Sequence, residues 1–175
     1  MSTIEKSDEY VSLARASYTA FVEHGQKISV PDNLPSQMTS EQAGVFVSLH
    51  EHGELRGCIG TIAPMQDCVA EEIISNAISA CSQDPRFPAI TPSELPDIEC
   101  SVDVLTPFED VDSADSLDPK RYGVIVSRGF ARGVLLPDLE GVDTVEQQVA
   151  IAKQKAGIPL SSPCHLQRFE VIRHH

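Results

Sequence analysis

Apolar positions recur along the chain in two spacings. Within residues 8–23 they fall at Val11, Ala14, Tyr18, Phe21 and Val22, which is one face of a helix. Ser7 stands where an N-cap is needed and Gly25 where a helix stop is favoured. The same spacing returns at Val69, Ile73, Ala77 and Ala80 and predicts a helix over residues 66–82. Asp67, Glu71 and Glu72 lie near its start, where the helix dipole favours acids, and the Glu71-Glu72 pair reads as a solvated face. A third stripe, Val145, Val149, Ala152 and Ala156, follows a Thr144-x-x-Gln147 capping box and ends at Gly157.

Alternating spacing marks the strands. Residues 44–50 and 54–62 read as a hairpin, with 51–53 as the connection. Ile98, Cys100, Val102 and Val104 alternate strictly. Residues 122–127 and 131–136 form two short strands joined near Arg128 and Gly129, and residues 165–173 a last one. Pro31, Asp32, Asn33 and Pro35 make residues 30–42 a loop, and residues 109–120 read as an acidic, mobile one. Asp84-Pro85-Arg86-Phe87-Pro88 ends the second helix, because a residue before proline is pushed out of the α region. Helices mixed with hairpin-linked strands predict an α+β fold with a mainly antiparallel sheet.

Composition narrows the function. The 175 residues carry 13 Lys and Arg against 26 Asp and Glu, a net charge of −13 that disfavours nucleic acid and anionic membrane as partners. That length can bury a core without disulfides or metal. Residues 1–10 lack the apolar core of a signal peptide, and no apolar run approaches the ~18 residues of a membrane span, so a cytoplasmic protein is expected. Five cysteines without a CxxC pair fit reduced thiols, two or three of them small buried hydrophobes. No metal site is expected. His50 lies in the strand while His52 falls in the hairpin connection, and Cys164 and His165 are adjacent.

Leu55-Arg56-Gly57-Cys58-Ile59-Gly60-Thr61 carries the chemistry. Two glycines inside a strand call for a bulge or a close approach. Arg56 and Cys58 are two apart, so an extended strand puts guanidinium and thiol on one face, where the cation would favour a thiolate. Merging the apolar faces of the hairpin requires Leu49 opposite Leu55, hence an odd connection over residues 51–53 and no two-residue turn at His52 and Gly53. The other face then carries Phe46, Ser48, His50, Arg56 and Cys58. Cys58 and Arg56 are the candidate catalytic pair and His50 a weaker proton partner. Arg56 could equally form an ion pair with Glu54 or Glu94. Prolines flanking Arg86 and Phe87 would hold a guanidinium rigidly toward an anion, or Arg86 could simply pair with Asp84 or Asp97. Arg121, Arg128 and Arg132 read as exposed hairpin charges or a small basic patch.

The heptapeptide resembles the signature of the AMME candidate-region (AMMECR) domain family. Asp84 to Pro88, Glu94-Leu95, Ser101 to Pro107, Gly133 to Pro137 and Lys155 to Gly157 agree in order and spacing. The resemblance implies one domain over residues 1–175, built of two lobes with a cleft between them and both termini in the larger lobe. It implies a site at the motif. Gly57, Gly60, Thr61, Asp84 and Arg86 are candidate substrate-binding residues, and the thiol and guanidinium chemistry of the residues themselves suggests Cys58 acting on an anionic small molecule. Its cofactors are unknown. The family's bacterial and archaeal members are associated with a Memo-type protein and a radical-SAM protein, which makes those two the expected partners. A docking module for them is the alternative to an enzyme.

Overall fold

The structure, a computed structural model, describes residues 8–175. Its elements run α1 (Glu9–His24), α2 (Ser36–Ser40), β1 (Val45–Glu51), β2 (Glu54–Gly60), α3 (Val69–Ser82), β3 (Ile98–Leu105), β4 (Glu109–Val111), β5 (Gly123–Arg128), β6 (Ala131–Leu135), α4 (Val145–Ala156), β7 (His165–Phe169) and β8 (Val171–His174). Two four-stranded sheets, ordered β2-β1-β3-β8 and β4-β7-β5-β6, bear out the α+β reading. The chain divides into two compact units, residues up to Val104 with Arg173–His175, and Leu105–Ile172. No helix among the described residues is long and apolar enough to cross a membrane.

In the first unit, α1 and α3 cover one face of the sheet. Val45, Val47 and Leu49 of β1 and Val102 of β3 meet Ile73, Ile74 and Ala77 of α3, together with Leu13, Ala14 and Tyr18 of α1. Gly25 ends α1 at φ 64°. The N-cap is Asp8, whose carboxylate accepts from the amides of Tyr10 and Val11; the predicted cap, Ser7, lies outside the described residues. His174 of β8 returns to this cap, with Nδ1 2.7 Å from Asp8 Oδ2 and its ring stacked on Tyr10 at 3.8 Å.

In the second unit, α4 lies over β5 and β6, and Val124, Val126, Leu135, Ala152 and Ile158 form the core. The Thr144–Gln147 capping box and the Gly157 stop are present as the sequence predicts.

Several boundaries differ from expectation. The loop over residues 30–42 contains the single turn of α2, which buries Met38 under the first core. α3 begins only at Val69, after Cys68. The acidic stretch over residues 109–120 is not simply a loop: Glu109–Val111 pairs with β7, and residues 114–116 make a 3-10 turn. The last predicted strand is two strands, β7 in one sheet and β8 in the other. Periodicity could not divide them, because alternation runs on through Glu170.

Candidate functional site around Cys58

The hairpin register decides this site. His52 (φ 53°) and Gly53 (φ 80°) form a two-residue turn with positive φ at both positions, as a type I′ turn requires. Glu51 pairs with Glu54 and His50 with Leu55. The odd connection over residues 51–53 is therefore overturned. Continuing that register would set Arg56 opposite Leu49 and bury a guanidinium in the aliphatic layer. A bulge intervenes instead: Leu49 pairs with Gly57, Ser48 with Cys58 and Val47 with Ile59. The extra residue is Arg56. Leu55, expected against the core, is 37% exposed beside His50. Beyond the bulge the predicted faces hold, and Cys58 stands with Ser48, away from Val45 and Val47.

Both motif glycines serve close approach. A Cβ on Gly57 would strike the Ala80 carbonyl of α3, and one on Gly60 the ring of Phe46, its cross-strand partner. Gly57 thus lets α3 lie directly on β2.

Cys58 is half-buried, and its Sγ lies 3.2 Å from Ser48 Oγ. Its amide donates to Asp84 Oδ2 at 3.0 Å. Asp84 is buried, with its side chain 2% exposed, and also accepts from the amide, Nε and Nη2 of Arg86. Arg86 Nη2 reaches the Cys58 carbonyl at 3.3 Å, while the side chain remains 55% exposed. The Arg86 hydrogen bond holds the Asp84 carboxyl well below the usual carboxylate range, helped by the Cys58 amide and against the cost of burial. The Arg86 pKa is raised, first by Asp84 and in smaller part by negative charge at Cys58. By reciprocity, the guanidinium favours a Cys58 thiolate.

Arg56 lies elsewhere. Its Nε and Nη2 meet Glu94 at 3.0 and 3.3 Å, and Nη1 donates to the Pro88 carbonyl at 2.7 Å. It ties the bulge to the segment after the Asp84 loop. The cation joined to the Cys58 backbone is Arg86. Hydrogen bonds from Thr91 and Arg56 bring the Glu94 carboxyl down to about 2. His50 shares the Cys58 face, two pairs nearer the turn, opposite Leu55 and Glu99.

Thr61 sits over a network the sequence did not reveal. Its hydroxyl donates to Glu72 at 3.0 Å and accepts from Asn76 at 3.3 Å, and its amide donates to Val45. Glu72, read as solvated, is 1% exposed and also accepts from the amides of Met65 and Gln66. Its spacing from Asn76, one helical turn apart beside Ile73 and Ala77, was the available signal. Cys68, Cys81 and Cys100 are buried, and burial pushes the Cys81 and Cys100 thiols up to about 11 and about 12. The three arginines of the second unit are engaged separately: Arg121 with Glu170, Arg128 with the Pro163 carbonyl and Arg132 over the Phe108 ring.

Depressed carboxyls make stability depend on pH in one direction. Asp84 and Glu94 contribute fully above their unfolded values of 3.8 and 4.5, and the contribution is lost as pH falls through their lower folded values. Denaturant midpoints should therefore fall as the solution is acidified from pH 4.5 toward 2. Glu94→Gln should flatten that fall, and an unchanged slope in the variant would refute the assignment.

Comparison with known proteins places the chain in a family. A chain from Thermotoga maritima is 49% identical over 167 residues, covering 94% of this chain and 96% of its own. A Clostridium acetobutylicum protein is 49% identical over 171 residues, but this chain spans only 36% of its length. The crystal structure of an uncharacterized protein from Pyrococcus horikoshii superposes with a TM-score of 0.86 at 31% identity, covering 94% of this chain and 88% of that one. The AMMECR1 family model matches residues 11–174, and the chain belongs to the AMMECR1 family.

Proposed function

We propose that Cys58 is the working group of a thiol-dependent enzyme, with Arg86 holding an anionic small molecule beside it. One observation carries this reading: a half-buried thiol stands on a strand, and an arginine bonded to that residue's own carbonyl keeps its side chain 55% exposed. Asp84 and Cys58 occupy Nε and Nη2 of Arg86, and Nη1 donates to no acceptor among the described residues, which leaves an edge of the fork for a carboxylate or phosphate. Ser48 Oγ lies within hydrogen-bond reach of Sγ and positions it, and the thiol proton passes to solvent as the thiolate forms. Arg56 supports the strand from behind rather than activating the thiol. The Asp84 carboxylate offsets part of the Arg86 charge felt at Cys58.

The rate of Cys58 alkylation against pH tests this. The wild-type midpoint should lie below that of Arg86→Gln, and a simple dianionic phosphate should protect the wild type but not the variant. Equal midpoints together with no protection would defeat the proposal.

A second reading is favoured by the Clostridium relative, in which the matching region is joined to further sequence nearly twice its length. In it the chain is an AmmeMemoRadiSam system protein A, a module docking a Memo-type or radical-SAM partner in the cytoplasm. Co-purification with such a partner, unaffected by Cys58→Ser, would favour docking over catalysis.

A further inference from the structure

The hairpin turn brings together three donors that the sequence keeps apart. Glu51 ends β1, His52 opens the turn, and Asp97 closes the 3-10 turn over Pro92–Asp97. Strand pairing is the cause: Glu51 pairs with Ile98, so the residue before β3 arrives beside the turn. One ligand atom from each of the three lies within 4.8 Å of the other two, and His52 Nε2 is 3.9 Å from Asp97 Oδ2.

We propose that Glu51, His52 and Asp97 form a binding site for a divalent transition-metal ion of the zinc type. Zinc bonds to imidazole nitrogen and carboxylate oxygen of about 2.0–2.2 Å put tetrahedral ligand atoms roughly 3.3–3.6 Å apart. The observed spacing closes to that by rotation of side chains that are free to move, since His52 is 74% and Asp97 53% exposed. One imidazole with two carboxylates selects zinc, cobalt or nickel over magnesium and calcium, which prefer all-oxygen sets. The two carboxylates match the charge of the ion. Glu51 is only loosely engaged by Arg56, at 3.9 Å, because the short bonds of that guanidinium go to Glu94 and Pro88. Three protein ligands leave a fourth position for water or a further ligand.

Calorimetric titration of the full chain with Zn2+ tests the site, in a His174→Ala/His175→Ala background that removes the adjacent C-terminal imidazoles. One equivalent should bind. Affinity should fall by about tenfold or more in His52→Asn and, independently, in Asp97→Asn, as loss of a ligand demands. Asn tolerates the positive φ of His52, so that variant keeps the turn, and an unchanged unfolding midpoint verifies it. Cys58→Ser should bind as the parent does. Binding by both Asn variants within twofold of the parent, loss of the site in Cys58→Ser, or equal affinity for Mg2+ and Zn2+ would each overturn the assignment.

Discussion

Gly57→Ala is expected to destabilise the protein by about 3 kcal/mol or more, near the upper end of what overpacking costs. The added methyl meets the backbone carbonyl of Ala80, in a helix packed against β1, β2 and α1, so relief requires α3 to move as a body. Gly60→Ala is the matching control. Its methyl meets the Phe46 ring, which can turn away, and the expected cost is nearer 1 kcal/mol. Urea midpoints of the two variants measure the difference. If Gly57→Ala cost no more than Gly60→Ala, direct contact of α3 on the motif strand would be wrong.

Asp84→Ala is expected to cost about 3 kcal/mol, since removing one partner of a buried charged pair strands the other. The carboxylate is 2% exposed and serves two amides and one guanidinium. The half-exposed Arg86 can recover water, whereas the Cys58 and Arg86 amides lose their acceptor, which holds the cost near the low end for such pairs. Asp84→Asn keeps one acceptor oxygen and should fall between wild type and Asp84→Ala. The diagnostic readout is local: amide exchange at Cys58 should accelerate in Asp84→Ala beyond the change at Leu49, on the opposite face of the hairpin. Uniform acceleration would mean that Asp84 supports the unit as a whole rather than the Cys58 strand.

Much of this site was legible beforehand. The motif, the strand that bears it, the Asp84-to-Pro88 block and the placement of Cys58 with Ser48 were all readable from spacing. What was not readable turned on one residue. Face matching alone counts only which apolar sets coincide, and it joined Leu49 to Leu55. The turn had a stronger preference, two residues at positive φ, and the strand reconciled turn with core by expelling Arg56 into a bulge. That step moved Arg56 onto Glu94 and left Arg86 joined to the Cys58 backbone. Glu72 departs from its expectation because a separate segment covers it. An acid in a first helical turn is normally solvated, but here the loop carrying Met65 and Gln66 folds over it and supplies two amide donors.

The sequence by itself determined the local elements: the capped helices, the alternating strands, the glycine-interrupted motif and, through that motif, the family. Those follow from periodicity, capping and turn chemistry, which act over a few residues. The tertiary structure alone decided the partners: Arg86 rather than Arg56 at Cys58, Asp84 as the buried hub, and Glu51, His52 and Asp97 side by side. Each of these pairs residues from separate segments or depends on a one-residue change in strand register. Such a shift moves side chains by a whole position while leaving the hydrophobic pattern along each strand unchanged.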